Sequence, residues 1–325
     1  MRPAWEVDRS VVVRAREDSN PGLGRLPGER PILEHIRLGM IVLDKPAGPT
    51  SHEVVAWVKR LLELDRAGHG GTLDPRVTGV LPVGLQDSTK VVQALLASGK
   101  EYVCVMRTHG LEEEARVVET LGLFEGVIFQ RPPVRASVRR RLRTREIYGI
   151  DYLEGDGRNW LFRLACQSGT YIRKLCYDVG EVLGGGAHMH ELRRTRSGPF
   201  TEADLVTMYD LVDALDLWRT EGDEGPLRGV IRPMEDSLAL LPKLWIRDSA
   251  VDAVCTGAAL AMPGVLRLES GIERGALLAV LSQKGEGVAL MRAEVSGEEM
   301  LGAERGLAAL PVRVLMPRGT YPRTW

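Results

Sequence analysis

The chain has 325 residues, 44% hydrophobic and 27% charged, with a formal net charge of -1 and a sequence pI of about 6.6. This composition is that of a globular protein long enough for two domains, and its charge balance alone announces no nucleic-acid partner. No apolar run reaches the ~18 residues of a membrane span, so no membrane association is expected, and residues 1–30 lack the apolar core of a signal peptide. The cysteines Cys104, Cys166, Cys176 and Cys255 show no short paired spacing. They read as buried thiols in a reducing, cytoplasmic setting, not as disulfides or zinc ligands.

Residues 1–36 are irregular, with turn signals at Asn20-Pro21-Gly22 and Leu26-Pro27-Gly28, and read as an extension or wrapping arm. A short strand runs from Ile41 and stops at Pro46. Thr50-Ser51-His52-Glu53 is a capping box that opens a helix to about Leu64, with Val54, Val55, Val58, Leu61 and Leu62 as its apolar stripe. The stretch from Gly68 to Val83 has a single acid, Asp74, followed by Pro75 and set among glycines, His69 and small apolar residues. A carboxylate on a stiff turn is positioned before its substrate arrives, which suits a nucleophile. Asp-Pro is also an ordinary turn pair, and the spacing leaves both readings open.

A helix from about Ser88 to Ala97 ends at Gly99. Lys100 to Met106 alternates as a strand with Tyr102, Cys104 and Met106 on one face, and Leu111 to Leu123 is an acidic, helix-like segment. A strand follows at Glu146–Ile150 and another at Trp160–Cys166. Ser168-Gly169 then turns into a helix carrying Tyr171, Ile172, Leu175, Val179 and Leu183. Beyond Leu241-Pro242 the texture changes to short apolar strands separated by glycines, at 277–281, 287–291 and 312–316, which predicts a β-rich second domain. Mixed helices and strands without regular βαβ alternation argue an α+β fold with a largely antiparallel sheet.

Charge is distributed unevenly. Arg131, Arg135, Arg139, Arg140, Arg141, Arg143 and Arg145 fall in one stretch without an acid, and Arg193, Arg194 and Arg196 form a second cluster. An arginine run is ordinarily a solvated face, but this many cations without a counter-charge repel one another and favour a polyanion contact. Four segments have residues suited to chemistry on a polyanionic substrate. Asp74 is the candidate nucleophile, Tyr102 offers an aromatic face and a phenol, Arg173 a fixed cation, and Leu192 with the arginines after it an apolar wall with positive charge. Taken singly, each has a plain reading: a half-buried strand aromatic, a surface cation paired with Asp178, a core leucine. His188-Met189-His190-Glu191 brings no third and fourth ligand into view, so no metal is expected.

Leu43-Asp44-Lys45-Pro46-Ala47-Gly48-Pro49-Thr50-Ser51, the Asp74 loop, Ser168 to Arg173 and Leu192 to Phe200 resemble, in order, the motifs of the TruB family of RNA pseudouridine synthases. The resemblance implies that Asp74 is the catalytic aspartate, with Tyr102 and Arg173 beside it and Lys45, His69, Tyr171 and Leu192 around the substrate pocket. For Lys45 and His69 a loop-structure role is an equal alternative. Residues 241–325 resemble a PUA domain, whose RNA-contacting turn matches Thr256 to Gly264 and implies contacts at Gly257, Leu260, Pro263 and Gly264. Arg131 to Arg145 resembles the thumb loop of the family, and Arg193 and Arg194 add to the RNA-binding set.

The implied architecture is a largely antiparallel mixed-sheet pseudouridine synthase domain over 37–240, a C-terminal PUA domain over 241–325, and an extension over 1–36 packing on the PUA domain. The arm, the complete PUA domain and the tail from Met316 to Trp325 resemble the dyskerin branch, and the missing lysine-rich tail looks archaeal. That branch implies isomerisation of uridine to pseudouridine in rRNA under box H/ACA guide RNA, with tRNA uridine in the TΨC arm as a further candidate. No cofactor is implied. The implied partners are small Nop-type and Gar-type proteins and, through the guide RNA, a kink-turn-binding L7a-type protein. The alternatives are a guide-independent tRNA enzyme, a non-catalytic RNA-binding scaffold, and hydrolysis of the glycosidic bond.

Overall fold

The computed structural model describes residues 3–132, 139 and 141–323. Two sheets organise them. The larger has ten strands, in the order Arg232–Pro233, Gly39–Lys45, Thr78–Leu85, Ala187–Ser197, Lys100–Thr108, Asn159–Cys166, Arg143–Gly155 and Gly126–Gln130, with Phe200–Thr201 and Ala67–His69 pairing beside this path. Its neighbours are antiparallel except Thr78–Leu85 beside Ala187–Ser197. The smaller has seven, in the order Val11–Val13, Val265–Glu269, Lys243–Ile246, Leu277–Leu281, Gly287–Ala293, Leu307–Val314 and Leu260–Ala261. This is the expected α+β organisation with mostly antiparallel pairing.

Local chemistry accounts for most elements. Lys100–Thr108 alternates between buried and half-buried positions, so Tyr102, Cys104 and Met106 share the inner face, as a two-residue period dictates. Thr50 Oγ1 accepts the Glu53 N–H at 3.1 Å and the Glu53 carboxylate accepts the Thr50 N–H at 2.7 Å, which starts the helix Ser51–Leu61. That helix ends short of Leu64. The expected helix from Ser88 to Ala97 divides into a 3-10 turn, Gln86–Lys90, and a helix, Val92–Ala97. The expected strand at 312–316 lies instead at Leu307–Val314.

The arm is more ordered than its composition suggests. Val11–Val13 becomes an edge strand on Val265–Glu269, and the Arg14 guanidinium donates to the carbonyls of Met300, Val265 and Ala303. Trp5 packs edge-on against Tyr148 and beneath Arg196 on the larger sheet. The helix Ile32–Arg37 straddles residue 36 and buries Ile32 and Ile36 in the core of the larger sheet. The arm therefore contacts both units. A further apolar cluster joins the sheets, with Met40, Val42, Leu95 and Phe200 against Ala279, Leu281, Leu290 and Leu315. All four cysteines are buried and free. Among the described residues, no helix is long and apolar enough to cross a membrane.

Candidate active site

The loop from Gly70 to Val77 hangs between the strands Ala67–His69 and Thr78–Leu85, and it is fastened from below. Lys45, fully buried at the end of its strand, donates from Nζ to the carbonyls of Pro46, Pro75 and Val77 at 2.8, 3.0 and 3.0 Å. Ser51 Oγ accepts the Leu73 N–H at 2.9 Å and donates to the Leu73 carbonyl at 3.0 Å. The Gly48 N–H reaches the Pro75 carbonyl, and the Val77 N–H closes on the Asp74 carbonyl at 3.0 Å. Asp74 thus tips a turn whose backbone is held from several directions, while its own side chain stays 51% exposed.

Arg173 meets it there. Tyr171 caps the helix Ile172–Leu183, and Gln130 grips Tyr171 by both backbone groups, its Oε1 accepting the N–H at 2.9 Å and its Nε2 donating to the carbonyl at 3.1 Å. This fixes the first turn of the helix, and Arg173 extends from it to form an ion pair with the Asp74 carboxylate. The pair stands open to solvent, so it contributes at most about 1 kcal/mol to folding. Its value is positional: the guanidinium orients an otherwise free carboxylate.

Behind the loop lies a buried wall. Tyr102 is almost wholly buried, and burial raises its phenol above the ordinary range, with Asp74 adding a smaller contribution in the same direction. Arg194, the register partner of Tyr102, stands beside that phenol and donates to the carbonyls of Val80 at 2.7 Å and Gly71 at 3.1 Å. Burial lowers Lys45, which Asp74 partly offsets. His69 is pushed down to about 4 by burial, then by His52 and Arg194. Its Nδ1 accepts the Gly71 N–H at 3.4 Å, and its ring stands edge-on to His52. His69 is therefore a neutral loop-holding group.

Several expected contacts are corrected by this geometry. Arg194, expected on the RNA surface, is 1% exposed and bonded to backbone carbonyls inside the domain. Lys45 has its hydrogen-bonding directed at the loop backbone, which favours the structural reading of that residue. Leu260 lies in the core of the smaller sheet, so its side chain is closed to RNA. Arg193 is half-buried and shared between Asp44 and Glu202, so its charge is largely compensated.

The remaining positions are accessible to differing degrees. Arg131, Arg139 and Arg141 are exposed, Arg143 and Arg145 are half-buried, and Arg145 lies against Gly169 in the turn before Tyr171. Arg135 and Arg140 lie outside the described residues. Leu192 is half-buried against the main core. Gly257 and Pro263 are exposed and Gly264 is half-buried; the turn is held by Arg247, whose Nε donates to the Pro263 carbonyl and whose guanidinium pairs with Glu17 of the arm. The bracing of the site by Ser51 and Gln130 was not expected from the sequence. The capping box marked Ser51 only as a helix start, and a glutamine ending a strand gives no signal of the backbone it will clamp.

Comparison with known proteins finds matches along the whole chain. Family models match a DKCLD domain over residues 5–55, a TruB family pseudouridylate synthase N-terminal domain over 59–115, a tRNA pseudouridylate synthase B C-terminal domain over 173–239 and a PUA domain over 242–315. The chain is 55% identical over 324 residues to a probable tRNA pseudouridine synthase B of Methanopyrus kandleri, covering 100% of this chain and 96% of that protein. It is 53% identical over 327 residues to the same-named protein of Pyrococcus horikoshii, covering 100% and 98%. Among solved structures it is similar to a chain in a Cbf5-Nop10-Gar1 complex, with 51% identity, a TM-score of 0.94 and coverage of 99% and 98%. It is also similar to a chain in an H/ACA RNP bound to a substrate RNA containing 2'-deoxyuridine, with 50% identity, a TM-score of 0.93 and full coverage of both chains, 100% each. With a carboxylate oriented by an arginine on a braced loop, and with this identity along its whole length, the chain belongs to the TruB family of pseudouridine synthases, in the dyskerin branch.

Proposed function

We propose that this pseudouridine synthase is the catalytic chain of a ribonucleoprotein that converts uridine to pseudouridine in rRNA at sites chosen by a box H/ACA guide RNA, in the cytoplasm, with Asp74 as nucleophile. The observation that carries the chemistry is the exposed Asp74–Arg173 pair on a fastened loop. The cation fixes the direction of the carboxylate that attacks. The target uridine leaves its stack to reach the loop. The Asp74 carboxylate bonds to the nucleotide as the C1′–N1 bond breaks, the uracil turns, and the carboxylate is released as C5 bonds to C1′; N1 takes up a proton and C5 releases one, so no external reagent is consumed. Tyr102 lies on the wall behind Asp74, where its ring packs against the base and its phenol assists removal of the C5 proton.

Guide dependence is supported by the solved relatives, which are chains of complexes named Cbf5-Nop10-Gar1 and H/ACA RNP. On this reading the chain binds small Nop-type and Gar-type proteins, and a kink-turn-binding L7a-type protein joins through the guide. The PUA domain holds the guide at the turn around Gly257, Pro263 and Gly264, and the exposed Arg131, Arg139 and Arg141 contact substrate RNA. A second reading, direct action on the TΨC arm of tRNA, is favoured by the names of the M. kandleri and P. horikoshii relatives. Reconstitution separates the two. Tritium release from C5-labelled uridine in a guide-matched rRNA fragment, requiring guide RNA and the small partners, supports the first. Equal release from bare tRNA without a guide, and none from the guide-matched fragment, overturns it.

A further inference from the structure

We infer that Arg194 is a positioning residue for catalysis, a buried guanidinium that locks the phenol of Tyr102 to both ends of the loop that presents Asp74. The backbone register creates this position. On one side of the strand Ala187–Ser197, Arg194 is paired with Gly79 of the parallel strand Thr78–Leu85; on the other it is paired with Tyr102 of the antiparallel strand Lys100–Thr108. It therefore stands between the strand that leaves the Asp74 loop and the strand that bears the tyrosine. Its side chain completes the link. Nε donates to Val80 just after the loop, a terminal nitrogen donates to Gly71 just before Asp74, and the guanidinium stands beside the phenol of Tyr102, its register partner.

Stability alone does not account for an arginine here. Among the described residues no carboxylate pairs with it, and an unpaired buried cation costs several kcal/mol in desolvation, which hydrogen bonds to carbonyls only partly offset. What the planar fork supplies is direction: its donors in one rigid plane fix the two ends of the loop relative to each other and to the phenol beside them. A lysine keeps the charge and loses that plane. Gly79 also has to be glycine for the two strands to approach, because it lies at φ 98° and a Cβ there would collide with the Arg194 carbonyl.

The inference rests on Asp74 and Tyr102 being the working groups. The test uses the full chain in whichever assembly supports wild-type turnover, and compares Arg194→Lys, Tyr102→Phe and the double variant. Single-turnover tritium release and substrate RNA Kd are measured for each. Arg194→Lys is expected to slow the chemical step by ~10²-fold, the cost of a misplacement of about 1 Å, with RNA Kd within about threefold. The double variant should lose no more than the worse single variant, because both changes break the same link. A near-normal rate for Arg194→Lys, a Kd that rises in step with the rate loss, or losses that multiply in the double variant each overturn the inference. Full activity of Tyr102→Phe removes the tyrosine reading instead, and with it the part of this inference that acts through the phenol. Should Arg194→Lys fail to fold, 3-fluorotyrosine at position 102 of the otherwise unaltered chain provides the second test. One narrow 19F resonance fits a phenol held in a single buried position beside Arg194. A solvent-averaged or multiple signal overturns the link.

Discussion

Asp74 and Arg173 are 99 residues apart in sequence and meet as an ion pair in which both side chains are about half exposed, 51% and 53%. Each is carried by an element whose backbone is clamped elsewhere: the loop of Asp74 by Lys45 and Ser51, the helix start of Arg173 by Gln130. An exposed pair of this kind is weak in folding terms. Its residues are therefore the ones whose replacement should separate activity from stability most cleanly.

Asp74→Asn tests this directly. The amide keeps the shape and loses the charge and the nucleophile. Pseudouridine formation should fall by more than ~10³-fold, with the melting temperature and RNA affinity close to wild type. Tritium release from C5-labelled uridine at more than a few per cent of the wild-type rate would sink the assignment.

Arg173→Lys should be far from conservative. A lysine keeps the charge near Asp74 and gives up the fork that holds a carboxylate from a fixed direction. The single-turnover rate should drop by about tenfold or more while circular dichroism stays unchanged, since the helix needs only its Tyr171 cap held by Gln130. A wild-type rate in the lysine variant would make Arg173 a bystander.

Much of this arrangement was legible in the sequence, for identifiable reasons. Strand Lys100–Thr108 alternates cleanly because one face is buried, and the capping box at Thr50 is a local interaction. The central strand Ala187–Ser197 is harder to read, since its histidines, glutamate and arginines break the alternation; the partners of Arg193 and Arg194 are Asp44, Glu202 and backbone carbonyls on other segments. Strand Thr78–Leu85 is buried along almost its whole length and is interrupted by Pro82, so it shows no two-residue period. The arginine count could not distinguish a surface cation from Arg194, because what separates them is the burial created by neighbouring strands. Val11–Val13 is too short to signal a strand without the edge it joins.

The exposed arginines at the thumb segment give a salt-dependence prediction. Replacing Arg131, Arg139 and Arg141 together with alanine should weaken substrate RNA binding and reduce the slope of log affinity against log salt by up to about 2, at roughly 0.7 per lost phosphate contact on a single strand. Arg193→Ala, which removes a cation already shared by Asp44 and Glu202, should change that slope little. Equal slopes for the triple variant and wild type would place the thumb arginines away from RNA.

Lys100 provides a pH test of the wall behind the site. It is buried beside Arg194, and its Nζ donates to the carbonyls of Leu95 at 2.8 Å and Ser98 at 2.7 Å. Burial, and then the neighbouring Arg194, push it down to about 7 from an ordinary 10.5. Between those two values the unfolded chain holds a proton that the folded chain has released, so raising the pH favours folding. The gain is complete above the unfolded value and is lost as pH falls through the folded one. Lys100→Met has no such group. Wild type should therefore gain stability relative to Lys100→Met as pH rises from 7 towards 10, by at most ~1.4 kcal/mol per unit, and the difference should flatten below about pH 7. Urea unfolding of both proteins at pH 6, 7, 8 and 9 and constant salt measures it. A difference that stays level from pH 6 to 9 would mean that Lys100 remains protonated in the fold, with its charge held by the carbonyls of Leu95 and Ser98 despite Arg194.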